Sequence, residues 1–415
     1  MAGKSLSTTC CIVGGGPAGL MLGYLLARAG IPVVVIEKHR DFLRDFRGDT
    51  IHPSTLELMA ELGIDDELLR LPHNKVPRVS GQFSTEVLTF ADFSRLPVRH
   101  PYIAMMPQWD FLNFIAEKAR HFQSFTLLME AEGTDLLTND GKVVGVTART
   151  PEGPIEIHAD VVVAADGRHS VLRESAGFVP DDLGAPMDVL WFRLSRDAGD
   201  TDETLGVFGV GRGLIHINRG NYWQCAVIIP KGAAETVRAR GLEKFREDVG
   251  ELVPWARDRL ADDLRTWDDV KLLTVRVDRL KQWFRPGLLF IGDAAHAMSP
   301  IGGVGINLAI QDAVAASNIL WQPLRDKQLE TSHLEAVQRR REWPTRATQR
   351  LQVAIQNRVI RPILAASSVP KPPLPLRLAA RFPFLRRLTA RVVGVGIRPE
   401  HIQSPDLPPI QLASP

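Results

Sequence analysis

An α/β protein is predicted, and three stretches predict it: a strand, glycine turn and helix at the start, then two more glycine turns, each following a short buried strand. In the first, Thr9 to Val13 is short, apolar and β-branched. Gly14-Gly15-Gly16-Pro17-Ala18-Gly19 follows, and then Leu20, Met21, Tyr24, Leu25 and Ala27 recur at helical spacing. Strand, Gly-x-Gly-x-x-Gly turn and helix form the first half of a dinucleotide-binding βαβ unit of Rossmann type. Gly14 permits the tight turn, Gly16 lets a pyrophosphate approach the backbone, and Gly19 lets helix and strand pack closely. The phosphates would lie on N–H groups at the helix start, beside Pro17 and Ala18, where the helix dipole favours negative charge. A second strand, Pro32 to Ile36, ends at Glu37, an acid placed to accept a ribose hydroxyl, with Lys38 next to it.

The second turn is Asp166-Gly167-Arg168-His169-Ser170-Val171-Leu172-Arg173, directly after the strand Val161 to Ala165. Asp166 is placed either to act on a ligand or to cap the helix from Ser170. The third is Gly292-Asp293 after the strand Gly287 to Ile291. It continues as Pro300-x-Gly302-Gly303-x-Gly305-x-Asn307 into a helix running past Leu320. A carboxylate at a strand end, such as Asp293, suits the hydroxyls of a ribityl chain.

With 415 residues and 46.0 kDa the chain is long for one core, and two domains are expected. A hydrophobic fraction of 45% and a charged fraction of 24% are those of an ordinary globular protein, which excludes a disordered or fibrous chain. No apolar run of membrane-spanning length and no signal-peptide pattern is found. The three cysteines, Cys10, Cys11 and Cys225, give neither a disulfide framework nor metal spacing, so no metal and a cytoplasmic location are expected. From Thr331 onward there are 14 Lys and Arg against 4 Asp and Glu, leaving 36 against 44 before it. The body is acidic and the tail basic, which calls for no nucleic acid but marks the tail as distinct.

Between these motifs the pattern supports helices at Ser54–Leu62 and Asp110–Arg120, and a hairpin turn at Asn139-Asp140-Gly141. Strands are expected at Val189–Leu194, Leu205–Val210, Leu214–Asn218 and Tyr222–Ile229, then a helical segment from Glu235 to Leu252. The expected division is a nucleotide-binding domain over 1–75, 101–185 and 270–330, a β-rich substrate domain over 76–100 and 186–269, and a helical C-terminal region with a basic tail over 331–415.

The three motifs, in this order, resemble those of the FAD-dependent aromatic hydroxylases similar to para-hydroxybenzoate hydroxylase, over roughly residues 9–350. The resemblance implies non-covalent FAD, with Gly14, Gly16 and Gly19 at the pyrophosphate and Glu37 at the adenosine ribose. It implies Arg47 at FAD phosphate or the nicotinamide, Gln108 at the flavin chain, and Asp166 at reductant binding. Gly292 and Asp293 would hold the ribityl chain, while Gly305, Ile306 and Asn307 would offer backbone to the flavin ring. The implied reaction is NAD(P)H-driven hydroxylation or epoxidation of an electron-rich small molecule by dioxygen, through a flavin C4a-hydroperoxide. No second nucleotide fingerprint exists, so the nicotinamide would bind only transiently.

Candidates for the substrate pocket are Trp191, Arg193, Phe208, His216, Trp223, Gln224 and Pro300, of which about half on any strand should face away. With only three tyrosines in the chain, a phenol-gripping tyrosine pair is not expected, which favours a larger, more apolar aromatic, polyketide-like or terpenoid-like acceptor. The alternatives are a flavin-dependent reductase of an isoprenoid-type lipid and a flavoprotein that only sequesters its ligand. Absence of Trp-x-Trp-x-Ile-Pro argues against a halogenase. In the tail, Leu378, Phe382, Leu385, Leu388 and Val392 share one helical face, with Pro383 dividing two short helices. That face is expected to pack on the body of a monomer or homodimer, leaving at most weak membrane-surface association. The purified protein should be yellow, with oxidised-flavin absorbance and FAD released on denaturation; a colourless protein that FAD cannot reconstitute would contradict this.

Overall fold

The computed structural model describes residues 4–43, 50–368 and 370–410. Its first sheet is built on β1 (Lys4–Val13), which leads through α1 (Pro17–Arg28) to β2 (Val33–Glu37). The run Val33-Val34-Val35-Ile36 is buried at every position, as a strand covered on both faces requires. β5 (Phe125–Met129), β6 (Gly153–Ala164) and β11 (Leu288–Phe290) complete a parallel array in the order β11, β6, β1, β2, β5. Alternate side chains separate two layers. Cys10, Ile12, Val35 and Val163 pack on α1, on α3 (Gln108–Arg120) and on α4 (Gly305–Arg325), while Cys11, Val34, Ile36 and Val162 face strands 132–150 and Trp283. Burial pushes the Cys11 thiol up to about 12, so it is an inert apolar filler.

The second sheet has seven strands. It joins β3 (Arg78–Phe83) and β4 (Glu86–Asp92) to β7 (Met187–Ser195), β8 (Leu205–Gly209), β9 (Arg212–Asn218) and β10 (Tyr222–Pro230), with 271–273 at the far edge. Among the described residues the two stretches pair only through β8 on β3, and that pairing is parallel. One face of this sheet is covered by the helices of 234–263. The helical segment expected over 235–252 is divided in two, Ala234–Ala239 and Leu242–Leu252. Gly241 between them has a φ of 90°, a left-handed value that ends one helix before the next begins.

Asn139 pairs with Lys142 across a tight turn in which Asp140 and Gly141 both have positive φ, the geometry that Asp-Gly favours. α2 (Pro53–Glu61) follows a two-stranded contact of Thr50–Ile51 with Ile103–Met105. The C-terminal region is α5 (Thr331–Ile355), then α6 (Leu374–Arg381) and α7 (Pro383–Ala390), separated at Pro383. Here the structure corrects the sequence. α6 and α7 rest on β4, with the small Ala379 and Ala390 as their buried residues, while Leu378, Phe382 and Leu388 point to solvent. Alanine takes the buried side of both helices, and of the expected apolar face only Leu385 and Val392 are half-buried.

Two histidines are locked into this fold in neutral form. His52 precedes α2 and donates from Nδ1 to the Val393 carbonyl at 2.8 Å, and His216 on β9 packs against Trp223 and Trp255. Burial holds the pKa of each down at about 4. The unfolded chain therefore binds more protons than the folded one between pH 6.5 and 4, and stability falls as pH drops through that window by about 1.4 kcal/mol per pH unit for each histidine. Melting curves at stepped pH should show His216→Asn with a shallower acid decline than the parent; identical slopes would show that His216 is not held neutral.

Candidate active site

The carboxyl ends of β2, β1, β6 and β11 lie side by side, because Val13 pairs with Ile36 and Ala164, and Ala164 pairs with Phe290. Each glycine turn leaves one of these ends. Ligands of open parallel sheets bind at this edge. A Cβ on Gly14, whose φ is 109°, would lie 2.4 Å from the Ala165 carbonyl oxygen, and one on Gly19 would lie 1.9 Å from that of Gly14. Those two glycines are demanded by packing within the protein. Gly16 differs: a Cβ there meets nothing within 4 Å, so its missing side chain leaves open space in front of α1. No side chain caps α1, and the N–H groups of its first turn face that space.

Glu37 ends β2 and is buried; its Oε2 accepts from the Gly15 N–H at 3.0 Å and its Oε1 from the His39 N–H at 3.1 Å. A carboxylate oxygen can accept more than one hydrogen bond, so the chemistry of Glu37 suits a ribose hydroxyl as well as the turn. Lys38 is exposed beside it. Arg47 lies outside the described residues.

The second and third turns interlock. Arg168 pairs with Asp293, Nη2 to Oδ2 at 3.2 Å. The buried Arg173 donates to the carbonyls of Ala294 (3.0 Å) and Arg168 (2.7 Å), clamping one turn to the other. Asp166 does cap: its Oδ2 accepts from the Leu172 N–H at 3.3 Å, while Ser170 caps the Arg173 N–H at 3.0 Å. Burial pushes the Asp166 pKa up against these hydrogen bonds, and its Oδ1 is buried with no partner among the described residues. A Cβ on Gly292 would lie 3.3 Å from that of Ala18 and 3.2 Å from that of Ala309, so this turn is wedged between the starts of α1 and α4.

The loop into α4 is fixed by Asn307. Its Oδ1 accepts from the His52 N–H (3.0 Å) and the Thr55 hydroxyl (2.7 Å), and its Nδ2 donates to the carbonyls of Thr50 (3.2 Å) and Gly303 (3.3 Å). Its side chain is thus engaged within the protein, and no side chain caps the helix start at Gly305, Ile306 and Asn307. Gly303, at a φ of 63°, would place a Cβ 2.4 Å from the Thr50 hydroxyl oxygen. Gln108 is the first residue of α3, three residues after the strand that pairs with Thr50–Ile51.

On the second sheet the substrate candidates divide four to two. Trp191, Arg193, Phe208 and Gln224 lie on the face whose apolar residues Met187, Ile228 and Phe208 pack with Ile301, next to Pro300 and the glycine loop. Phe208 stacks on Phe83 with ring centroids 4.8 Å apart and lies against the bare backbones of Gly81, Gly206 and Gly213. His216 and Trp223 point the opposite way. Their rings pack at 5.0 Å on each other and near Trp255 in the helix-covered core, so alternation along β9 and β10 removes them from the pocket.

One group escaped the sequence reading. Asp312, fully buried on α4, accepts from the Gly292 N–H (3.1 Å), from His296 Nε2 (2.6 Å) and from Arg341 Nε (3.0 Å). Burial pushes its carboxyl up, and the His296 and Arg341 contacts override that, holding it below the ordinary value. The available signal was an acid inside the apolar run Ile310-Gln311-Asp312-Ala313-Val314.

Open space before an uncapped helix, an acid at the second strand end, a ribityl-ready carboxylate and an orphaned buried oxygen all fit a flavin adenine dinucleotide. These features define an FAD-binding flavoprotein. The chain belongs to the FAD-dependent aromatic hydroxylase family: the family model described as "FAD binding domain" matches residues 7–351. It is 33% identical over 388 residues to 6-methylpretetramide 4-monooxygenase of Streptomyces rimosus, covering 93% of this chain and 92% of that one. It is 29% identical over 338 residues to pentachlorophenol 4-monooxygenase of Sphingobium chlorophenolicum, covering 77% and 59%. Its fold matches the anhydrotetracycline hydroxylase OxyS from Streptomyces rimosus with a TM-score of 0.74 at 22% identity, over 94% of this chain and 76% of that one. It is an FAD-dependent monooxygenase, and these relatives speak for that reading over the lipid reductase and the ligand-sequestering one.

Asp293→Ala should weaken FAD binding about tenfold or more, the loss of a charge-assisted hydrogen bond worth about 1.5–3 kcal/mol. Asp166→Ala should retain more FAD but be reduced more slowly by NAD(P)H. Titration of the apoprotein with FAD, followed by stopped-flow reduction, separates the two; equal loss of FAD in both variants would contradict this division.

Proposed function

We propose that this monooxygenase hydroxylates or epoxidises an aromatic, polyketide-like small molecule more apolar than a simple carboxylated phenol. The observation that carries the reading is the convergence of three glycine turns and Glu37 on one sheet edge, facing the apolar side of the second sheet. FAD, when bound there, supplies the electron transfer from NAD(P)H and the activation of dioxygen. The first turn of α1 would hold the pyrophosphate, Glu37 the adenosine ribose, and Asp293, steadied by Arg168, the ribityl chain. The starts of α3 and α4 would contact the flavin, with α4's N–H groups favouring negative charge on the reduced ring.

The substrate would lie between that ring and the sheet face of Trp191, Ile215 and Phe208. Arg193, stacked 4.8 Å over Tyr222, and Gln224 are the polar groups positioned to orient it. The apolar residues of this sheet face would keep water from the reacting centre. The residues divide by role as 1–75, 101–185 and 270–330 for FAD, 76–100 and 186–269 for substrate, and 331–415 as the C-terminal cover. The two-sheet arrangement supports that division except at one boundary, since 271–273 pairs with β7 and so goes with the substrate sheet, and the three buried free cysteines support a cytoplasmic setting. The 33% identical relative, named for a polyketide-derived acceptor, supports the substrate class.

The test is a screen of phenols, aromatic polyketides and terpenoids with NADH and with NADPH. The expected hit is an aromatic polyketide that accelerates nicotinamide oxidation and returns a product one oxygen heavier by mass spectrometry. Nicotinamide oxidation that no acceptor stimulates, or a product without added oxygen, would overturn the reading.

A further inference from the structure

The helix pair α6–α7 carries a surface that the flavin site does not use. Leu374, Phe384 and Leu388 are 65%, 67% and 53% exposed, and Leu378 and Phe382 are exposed beside them. An apolar patch of this kind on two consecutive amphipathic helices marks a contact surface. From Lys371 to Arg398 the chain holds seven Lys and Arg and no Asp or Glu. Arg377, Arg381, Arg387 and Arg391 on these helices are exposed, and none is ion-paired among the described residues. The acidic body, which could have neutralised them, does not reach them.

From this we infer that α6–α7 docks the enzyme on an anionic lipid surface, its apolar side chains entering the headgroup boundary and its arginines meeting lipid phosphates. Both halves of the patch need a partner at once, and a lipid surface offers negative charge and hydrocarbon within one layer. A second copy of this chain fits poorly. A two-fold dimer on this patch would set each copy's arginines against the other's. No helix of the described residues is long and apolar enough to cross a membrane, so the contact is peripheral. The placement also ties this surface to the pocket: directly after α7, Val393 accepts the hydrogen bond of His52, and Gly394 packs on Phe93 and Pro53. Lipid docking therefore acts through helices joined, by way of His52 and Asn307, to the glycine loop that opens α4.

Full-length, FAD-loaded protein is mixed with phosphatidylcholine vesicles with and without phosphatidylglycerol at physiological salt, and bound protein is recovered by flotation. Flotation with the anionic vesicles should exceed that with neutral ones by about tenfold and weaken as salt rises. The double variants Phe384→Ser/Leu388→Ser and Arg381→Glu/Arg387→Glu alter exposed residues only. Each should keep flavin absorbance and melting temperature yet lose flotation. No flotation of the parent, or flotation that both variants retain, overturns the inference. A concentration-dependent dimer that the same variants abolish, without vesicle binding, also overturns it and assigns the surface to a second copy.

Discussion

The arrangement depends on one buried carboxylate. Asp312 receives the Gly292 N–H, the His296 ring and the Arg341 guanidinium with essentially no solvent contact. Burying a charge at this depth costs several kcal/mol unless partners restore what water supplied, and three partners do so here. Arg341 passes the constraint outward. Its Nη1 also reaches Glu400 (3.1 Å) and the Arg398 carbonyl (3.1 Å), so the last segment of the chain is fastened to the same helix that opens at the glycine loop. A single network thus spaces the Gly292 turn, α4 and the segment at Arg398 and Glu400.

A second level of order comes from side chains that hold backbone rather than ligand. Asn307, Arg173 and Ser170 all spend their polar atoms inside the protein, and what they leave facing the site is main chain and glycine. That suits a large, flat cofactor: fixed N–H groups on rigid elements need no rearrangement when it binds. It also explains why the motif is rich in glycine at two kinds of position. Gly14, Gly19 and Gly303 answer contacts within the protein, whereas Gly16 leaves room for something else.

Most of the nucleotide-binding half was legible because its signals are local. A β-branched run, a glycine turn and a helical repeat occupy under thirty consecutive residues, and each sets its own geometry. The second and third turns were legible for the same reason. The substrate face was half legible: strand alternation divides candidates between two sides, but nothing local says which side meets the flavin. Trp223 and His216 look as functional as Trp191 until β9 and β10 are docked. Asp312 with Arg341 was out of reach because its meaning arises only from residues far apart in the chain. The tail was read correctly in its break at Pro383 and wrongly in its orientation. Helical periodicity finds an apolar stripe but not what lies beneath it, and here two alanines took the buried side.

The parallel pairing of β8 with β3 places Leu205 beside Ser80, and that of β11 with β6 places Leu288 beside Val162. Each pairing closes a loop of more than a hundred residues, and the two loops are interleaved rather than sequential. A nascent chain leaving the ribosome holds β1, β2 and β6 well before β11 exists to cover the edge of β6. Until then that buried-to-be strand edge, with its Val-Val-Val-Ala run, is an open template for pairing. The edge of β6 is covered only once Leu288 to Phe290 have been made, and the interval before β11 emerges is the one in which aggregation competes with folding.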